Sequence, residues 1–415
     1  MKTVKIIVVG AGSRGRAYSN YATQNPDKMQ IVGVAEPNDF YRNQMVEKYA
    51  ISSTNVFCDW RDMALRQKFA DAVIISTQDN MHELPAVSLA NKGYHILLEK
   101  PMATNKKSCR NIVDAVIKNN IIFSVCHVLR YTNYTQTIKK LINLGTIGDI
   151  VSIQHLEPVG YWHFAHSFVR GHWSKQKESS FILLAKSCHD IDWIIYIMNA
   201  KCISVSSFGN LKHFKKDNRP INASDRCMDC NFEPRCSYSA KKHYLRKALK
   251  GDFSWPVDVI VQNQTTKDVE NALRNGPYGR CVYNCDNDVL DHQVVNMLFD
   301  NGSTAVFTMT AFDNSKDRGT KIFGTKGSLY GDGSTIILND FLTDQITEIK
   351  TEFSDGTILT GHGGGDNELI KSFVEAVANN DQTKVLSGPD QTLESHLAVF
   401  AAEEARLNNQ VMHLR

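Results

Sequence analysis

Short runs of β-branched and aliphatic residues alternate with amphipathic segments along the first part of the chain. The apolar runs VKIIVVG, IVGVAE, DAVIIST, HILLEKP and IIFSVCH predict buried strands, and AVSLANKG and SCRNIVDAVIKNN between them predict helices. Strands that are buried on both faces and separated by helices are typical of a parallel sheet covered on both sides. We therefore expect such a sheet at the N-terminus.

The pattern changes near residue 126, where longer alternating segments begin. In VVNMLFDNGSTAVFTMTAF, the central DNG predicts a hairpin between two strands. The segments NELIKSFVEAVANN and TLESHLAVFAAEEARLNN predict two C-terminal helices. A chain of 415 residues is long enough for two cores, so we predict two domains, residues 1–125 and 126–415. The second is predicted to be an α/β domain with an open, mainly antiparallel sheet and an insert at about 220–287.

Composition and charge exclude several classes of protein. The formal net charge of +3 is too small to attract nucleic acid or an anionic membrane. No apolar stretch approaches the ~18 residues that cross a bilayer. The N-terminal MKTVKIIVVG leads directly into a predicted strand without a signal-peptide cleavage site. We therefore expect a cytoplasmic protein with no nucleic-acid or membrane partner.

The turn after the first predicted strand is GAGSRG, in which Gly10, Gly12 and Gly15 have the GxGxxG spacing. In a Rossmann fold, the first glycine permits the tight turn and the second lets the backbone approach a pyrophosphate, while the third allows close helix packing. Glu36 ends the second predicted strand about 20 residues later, where a carboxylate accepts hydrogen bonds from ribose hydroxyls. The pattern predicts a bound dinucleotide.

The identity of the dinucleotide depends on the charges near Glu36. A carboxylate there repels the 2′-phosphate of NADP, so the sequence favours NAD. Arg14, Arg16 and Arg42 could pair with that phosphate, which leaves NADP as the alternative. A glycine-rich turn without a ligand is the remaining interpretation.

Three further motifs follow predicted strands or open a helix: STQDNMH at 76–82, EKP at 99–101 and HDIDW at 189–193. Together with GAGSRG they resemble the glucose-fructose oxidoreductase, inositol dehydrogenase and MocA family of NAD(P)-dependent sugar oxidoreductases, over nearly the whole chain. The resemblance implies a Rossmann domain, a following α/β domain with an open sheet, and a homo-oligomer, either a dimer or a tetramer. The cofactor contacts implied and predicted are Gly10, Gly12, Ser13, Arg14, Gly15, Glu36, Thr77, His82, Glu99 and Lys100.

The same resemblance suggests the catalytic residues. In the family, the lysine of EKP lies beside the nicotinamide and the reacting hydroxyl, which gives that role to Lys100. The family's second motif is Asp-x-x-x-His; His189 matches the histidine, whereas Ala185 stands at the Asp position and Lys186 follows it. Oxidation of an alcohol requires a group that takes the hydroxyl proton. We therefore predict Lys100, His189 and Lys186 as catalytic residues.

Local structure around the second motif supports a proton-accepting histidine. Ser187 and Asp190 have the spacing of a capping box, which predicts that a helix begins here. The positive end of the helix dipole then favours a neutral His189 ring that can accept a proton. Burial beside another cation would likewise favour a neutral amine at Lys100 or Lys186. The alternative interpretation is that His189 only packs and that the lysines lie in solvent.

Polar and aromatic clusters in HVLRY, RGHW, DHQVV and GHGGGD are candidates for sugar binding. Sugars are held by planar polar groups on their hydroxyls and by aromatic faces on their C–H patches. The predicted substrate-binding residues are His127, Arg130, Tyr131, Arg170, Trp173, Asp291, His292 and His362. Ordinary packing or surface polarity is the alternative for each of them.

The insert contains Cys227, Cys230 and Cys236 in a C-x-x-C-x5-C array, followed by Cys281 and Cys285. This spacing can place thiolates around a tetrahedral metal, so we predict a structural zinc held by Cys227, Cys230, Cys236 and Cys281, with Cys285 as the alternative fourth ligand. Reduced thiols, which are usual in the cytoplasm, and a redox or iron-sulfur centre are the alternatives.

The resemblance and the motifs together predict an NAD-dependent oxidoreductase that acts on a secondary hydroxyl or keto group of a sugar, sugar acid or cyclic polyol. A second possibility is an enzyme that keeps NAD bound, oxidises a glycoside transiently, eliminates the aglycone and then re-reduces the product. A third is a nucleotide sensor without catalytic activity.

Overall fold

The computed structural model describes residues 2–314, 317–351 and 363–414, so the predicted substrate contact His362 lies outside the described residues. The strands are β1 (Val4–Val9), β2 (Met29–Ala35), β3 (Val56–Phe57), β4 (Ala72–Ile75), β5 (His95–Leu98), β6 (Phe123–Val125), β7 (Ile150–Pro158), β8 (Cys202–Asn210), β9 (His292–Phe299), β10 (Thr304–Thr310), β11 (Gly319–Gly324), β12 (Gly327–Gly331), β13 (Thr335–Asp340), β14 (Ile346–Lys350) and β15 (Met412–His413).

The α-helices are α1 (Ser13–Gln24), α2 (Asp39–Tyr49), α3 (Trp60–Leu65), α4 (Glu83–Asn91), α5 (Lys106–Lys118), α6 (Asn133–Asn143), α7 (Tyr161–Phe164), α8 (Ile182–Ala185), α9 (Cys188–Met198), α10 (Arg246–Ala248), α11 (Val257–Ile260), α12 (Thr266–Asn275), α13 (Gly365–Asn379) and α14 (Pro389–Asn408). Two π-helical segments, Ala165–Arg170 and Lys241–Leu245, continue α7 and precede α10. Among the described residues, no helix is both long and apolar enough to pass through a bilayer.

The N-terminal sheet is parallel, as the sequence predicted. In the described residues it has six strands in the order β3-β2-β1-β4-β5-β6, with β1 between β2 and β4. Each predicted apolar run forms one of these strands. The pairing of β1 with both neighbours brings the carboxyl ends of β1, β4 and β5 to one edge of the sheet. In open parallel sheets of this type, ligands bind at that edge.

The second sheet is open and mainly antiparallel, which confirms the prediction. Its order in the described part of the chain is β14-β13-β12-β11-β7-β10-β9-β8-β15, with β7 and β10 paired in parallel. The predicted DNG hairpin joins β9 to β10, where Leu298 lies opposite Thr304. Helices α9 and α14 pack against one face of the sheet. The other face carries exposed apolar side chains such as Phe208 and Leu298.

Helix α13 returns to the N-terminal sheet late in the chain. Its residues Leu369 and Phe373 share one apolar core with Val4 and Ile6 of β1. A C-terminal helix therefore completes the core on this face of the first sheet, and the division at residue 125 stays a prediction.

The insert consists of short helical segments with a small core of its own, formed by Cys227, Ala240, Tyr244, Ala248, Val257, Val269 and Leu273. Arg170, at the end of the first π-helical segment, attaches this core to the second domain. Its guanidinium donates hydrogen bonds to the carbonyl oxygens of Arg280 and Tyr238, both at 2.8 Å.

Candidate active site

The glycine turn after β1 has the space that a dinucleotide requires. Gly10 has φ +87°, and a Cβ there would lie 2.7 Å from the Ser76 carbonyl oxygen. A Cβ on Gly15 would lie 2.1 Å from the Gly10 carbonyl oxygen, so helix α1 can approach the turn only without a side chain. A Cβ on Gly12 would meet nothing within 4 Å. The open position at Gly12, beside Ser13 at the start of α1, fits a pyrophosphate.

Glu36 lies beside this turn, at the end of β2. Its carboxylate accepts hydrogen bonds from the backbone N–H of Ala11 at 2.6 Å and of Asn38 at 2.8 Å. These bonds fix the carboxylate at the edge of the glycine turn. Each carboxylate oxygen can accept a further bond, so the position still suits a ribose hydroxyl.

Arg14, in the glycine turn, is engaged by two acidic side chains. Its guanidinium forms an ion pair with Glu99 at 2.6 Å, contacts Tyr18, and pairs with Asp366 of α13. Glu99 also accepts the backbone N–H of Lys100 at 2.5 Å. Arg14 and Glu99 therefore join β5, α1 and α13 at the floor of the predicted cofactor site.

His82 connects the loops that follow β4 and β5. Its Nδ1 lies 2.8 Å from the carbonyl oxygen of Pro101 and its Nε2 lies 3.1 Å from that of Thr77. These contacts hold the EKP motif against the STQDNMH loop. His82 therefore fixes the position of Pro101, the residue that follows Lys100. The contacts of Thr77 and His82 with a cofactor stay predictions.

Lys100 reaches from the end of β5 to the second domain. Its Nζ donates a hydrogen bond to the carbonyl oxygen of Ala185 at 2.7 Å, at the junction between α8 and α9. The charge of Lys100 also acts on the buried His127 and Cys188. The EKP lysine therefore contacts the segment that carries Lys186 and His189.

His189 lies in the first turn of α9, and its residue surface is 4% exposed. Its ring centroid lies 5.7 Å from that of His127 in an edge-on arrangement. The predicted capping box is wrong, because Ser187 makes no side-chain cap bond. The Asp190 carboxylate is engaged by Arg318 and His155 instead, since a buried carboxylate is stabilised more by cations than by one backbone amide.

Lys186 belongs to a buried group of charges. Its Nζ lies 3.2 Å from Glu157 Oε1, and Arg318 pairs with Glu157 at 2.8 Å and with Asp190 at 2.5 Å. The positive charges of Lys186 and Arg318 balance the negative charges of Glu157 and Asp190. His155 lies 3.2 Å from Asp190. Burial would raise the pKa of Asp190, but Arg318 and His155 outweigh it and hold that pKa well below its usual range.

Glu157 and Arg318 were missed from the sequence. Glu157 stands at the carboxyl end of β7, where an acidic residue in SIQHLEPVG was a usable signal for a site-facing group. Arg318 directly precedes β11 and comes within 2.8 Å of Glu157 because β11 pairs with β7. That pairing joins segments far apart in the chain, so no local pattern reveals it.

The structure corrects the substrate role predicted for Arg130 and Tyr131. The Arg130 guanidinium forms a two-bond ion pair with Asp192, at 2.6 and 2.7 Å. The Tyr131 hydroxyl lies 2.9 Å from Ser387 Oγ. Burial lowers the pKa of His127 to about 3, and its ring is enclosed by the protein. Arg130 and Tyr131 are therefore bonded within the protein, whereas among the described residues neither ring nitrogen of His127 has a hydrogen-bond partner, so its substrate contact stays a prediction.

Arg170 and Asp291 are also structural. Arg170 attaches the insert, and the Asp291 carboxylate accepts the backbone N–H groups of Lys212 and His213 at 2.9 and 2.6 Å. His292 is partly exposed and pairs with Asp291 at 2.8 Å. Trp173 is half-buried and packs on His172, with ring centroids 3.7 Å apart. The substrate contacts of His292 and Trp173 stay predictions.

The four cysteines predicted to bind zinc line one small cavity of the insert, with Arg170 at its edge. Cys227 Sγ accepts from the Arg170 guanidinium at 3.5 Å, and burial raises the pKa of Cys236 and Cys281. Within the described ranges, no three His, Cys, Asp or Glu side chains are arranged to hold a metal, so the zinc prediction is not supported.

Comparison with known families matches both halves of the chain. Residues 4–127 match the NAD-binding Rossmann fold of the GFO_IDH_MocA oxidoreductase family, and residues 139–414 match its C-terminal alpha/beta domain. The chain belongs to this family. The resemblance noted from the motifs is thereby confirmed.

Individual relatives match over shorter spans. An uncharacterized oxidoreductase of Streptococcus pneumoniae is 30% identical over 51% of this chain and 54% of the relative. A 2,7-anhydro-N-acetylneuraminate hydratase of Escherichia coli is 28% identical over 50% of this chain and 53% of the relative. The chain thus spans about half the length of these curated relatives.

A solved structure of levoglucosan dehydrogenase in complex with NADH and L-sorbose superposes on the whole chain. Its TM-score is 0.73 at 18% identity, with all of both chains covered. At this identity the likeness shows the shared fold.

Proposed function

We propose that the protein is an NAD-dependent oxidoreductase that acts on a secondary hydroxyl or keto group of a sugar, sugar acid or cyclic polyol. The observation that carries this proposal is the 2.7 Å bond from Lys100 Nζ to the Ala185 carbonyl oxygen. It brings the lysine at the cofactor edge of the first sheet to the segment with Lys186 and His189. We therefore assign these three proton-handling side chains of the two domains to one catalytic site.

Each of these side chains has a distinct task in the proposed reaction. The bound NAD supplies hydride chemistry at the carbon that carries the hydroxyl. Lys100 has two N–H donors left after its bond to Ala185, and they orient the substrate oxygen. Lys186 and His189 hold or take the hydroxyl proton, with Glu157 fixing the position of the Lys186 ammonium at 3.2 Å. Oxidation then gives a ketone, and reduction runs the same transfers in reverse.

The engaged arginines support NAD over NADP. Arg14 is used in ion pairs with Glu99 and Asp366, and Arg42 pairs with Asp39 and donates to the Glu36 carbonyl oxygen at 2.6 Å. Arg16 packs over the Tyr41 ring at 4.3 Å. The Glu36 carboxylate stays at the edge of the turn, where it would repel a 2′-phosphate.

Redox-neutral cleavage of a glycoside is the second candidate. Its support is Lys186, a second proton-handling group where the family pattern has a neighbouring aspartate, and the hydratase among the relatives. Such an enzyme would oxidise the sugar, eliminate the aglycone from the ketone, add water and then reduce the ketone. The cofactor would return to its starting state, whereas a dehydrogenase accumulates NADH.

The experiment that separates these candidates is a panel of sugars, inositols and p-nitrophenyl glycosides tested with NAD. NADH absorbance that grows with substrate supports the dehydrogenase. Release of p-nitrophenol without net NADH supports the redox-neutral reaction. NAD binding with neither signal for any compound would favour the sensor and contradict both. A Lys100→Met variant is the control, since either activity should disappear in it.

The open face of the second sheet supports a homo-oligomer. A groove of about 810 Å³ lies there, lined by residues such as Gln154, Thr308 and Tyr330, and Phe208 and Leu298 are exposed nearby on the sheet. Exposed apolar surface of this kind is typical of a protein interface. Light scattering should give a dimer or tetramer mass, and Leu298→Glu should shift it towards the monomer.

A further inference from the structure

Six aromatic rings from two parts of the chain form one cluster, here called the aromatic wall. The wall consists of Trp162, His163, His166, His243, Trp255 and Tyr278. The ring centroid of Trp255 lies 5.1 Å from Trp162, 5.0 Å from His163 and 5.4 Å from His166. Trp162 stacks on His243 at 5.7 Å, and His166 stacks on Tyr278 at 4.9 Å. The insert therefore packs its rings onto the segment that follows β7.

The wall lies next to the proposed catalytic residues. Trp162 follows Glu157 by five residues, and Glu157 contacts Lys186 at 3.2 Å. Five residues span at most about 18 Å of extended chain, so Trp162 lies within about 18 Å of Glu157, a distance that a short saccharide can span.

The same wall borders the cofactor side of the cleft. Trp255 precedes α11, and Asp258 of α11 lies close to Arg16 of α1. Partial burial raises the pKa of Asp258, while the Arg16 guanidinium acts in the opposite direction. The insert thus reaches from the second domain towards the first turn of the dinucleotide helix.

Two π-helical segments hold the wall. Ala165–Arg170 carries His166, and Lys241–Leu245 carries His243. The hydrogen bond between His166 Nδ1 and the Tyr244 hydroxyl, at 2.8 Å, joins the two segments. π-Helical turns are rare and occur frequently at functional sites. Their presence on both sides of one ring cluster is an independent sign that this geometry serves binding.

The chemistry of the wall suits an uncharged ring. Burial lowers the pKa of His166 to about 3 and of His243 to about 4, so both rings are neutral near pH 7. Trp255 is 42% exposed despite its three ring neighbours, which leaves part of the indole open. Aromatic faces such as the open part of the Trp255 indole pack against the C–H side of sugars.

We propose that the aromatic wall binds the second ring of a glycoside, the one attached to the ring that is oxidised. The substrate would then be a disaccharide or longer saccharide, and the insert would determine that preference. This inference rests on the proposed function, because it takes the cleft at Lys100 and Lys186 as the place of the first ring.

The test compares matched pairs of sugars on the full-length protein saturated with NAD. The probes are glucose and cellobiose, galactose and lactose, and N-acetylglucosamine and chitobiose, with affinities from calorimetry. In the wild type, at least one disaccharide should bind about tenfold more tightly than its monosaccharide. In Trp255→Ala the two affinities should become equal. Trp255→Phe, which keeps an aromatic face, should retain part of the disaccharide preference.

Phe341→Ala is the matched control, since Phe341 is 59% exposed in a turn after β13. The ratio of disaccharide to monosaccharide affinity in Phe341→Ala should equal that of the wild type. The NAD affinity of each variant reports whether its cofactor domain is intact. Equal affinities within each pair, or an unchanged ratio in Trp255→Ala, would overturn the wall's role while leaving the proposed function standing. Failure of every sugar to bind the NAD-loaded protein would contradict the proposed function as well.

Discussion

The ammonium of Lys186 lies 3.2 Å from the carboxylate of Glu157, and that carboxylate also pairs with Arg318 at 2.8 Å. The lysine is therefore held by a buried partner, and its side chain is 17% exposed. A cation fixed in this way can present its proton to a substrate oxygen without first being ordered.

Replacing Lys186 should remove a proton-handling group. We expect Lys186→Met to lower kcat about 100-fold or more, because general acid-base groups contribute about 10²–10⁴. Glu157→Gln should lower kcat by about tenfold, since it weakens a charged hydrogen bond but keeps the lysine. Steady-state kinetics with the sugar found by the panel measures both. Lys350→Met, at a side chain 82% exposed, is the control, and near-normal turnover in Lys186→Met would exclude the assigned role.

The glycine turn permits a matched pair of substitutions. A methyl group on Gly15 would clash with the Gly10 carbonyl oxygen, so Gly15→Ala should lower the free energy of unfolding by about 1–3 kcal/mol. A methyl group on Gly12 meets no protein atom, so Gly12→Ala should fold normally and yet weaken NAD binding about tenfold, by filling the pyrophosphate's space. Urea unfolding and NAD titration check the two effects. Unchanged NAD affinity in Gly12→Ala would place the dinucleotide elsewhere.

Arg130 should matter for stability. Its loss leaves the buried Asp192 carboxylate without its two-bond partner, so Arg130→Met should cost about 3–5 kcal/mol of unfolding free energy. The double variant Arg130→Met with Asp192→Leu removes both charges and should recover most of that loss. Urea unfolding measures both variants. A folded, stable Arg130→Met with a raised KM would instead restore the predicted substrate contact.

His127 should make the protein less stable in acid. Burial lowers its folded-state pKa to about 3, so below pH ~6.5 the unfolded chain binds a proton at this residue that the folded protein does not. Stability therefore falls as the pH drops, by about 2 kcal/mol between pH 6.5 and 5 from this residue. Unfolding free energies of the wild type and His127→Phe across that range test this. Parallel pH curves for the two proteins would refute it.

Much of the fold could be predicted because its signals are local. The strand runs, the glycine turn and the DNG hairpin each depend on a few adjacent residues, and all have the predicted structure. Strand β3 was not predicted because it has two residues. The insert was not resolved into elements because its short helices depend on a separate small core.

The candidate site was predicted only in part. Lys100, Lys186 and His189 came from motifs, and the structure brings their segments together. Arg130 and Asp192 instead neutralise each other inside the protein, and sequence composition cannot distinguish a buried ion pair from an exposed binding pair. Glu157 and Arg318 meet through a strand pairing across the chain, and the aromatic wall needs the insert folded onto α7.

The central claim is that Lys100 and the α8–α9 junction hold a sugar carbinol for hydride transfer to NAD. Its most direct test is a single-turnover experiment with ring-deuterated sugars, in which NMR follows deuterium at C4 of the nicotinamide. The account predicts deuterium on the cofactor with the wild type, and none with Lys100→Met although this variant still binds NAD. Transfer that proceeds as fast in Lys100→Met as in the wild type would contradict it.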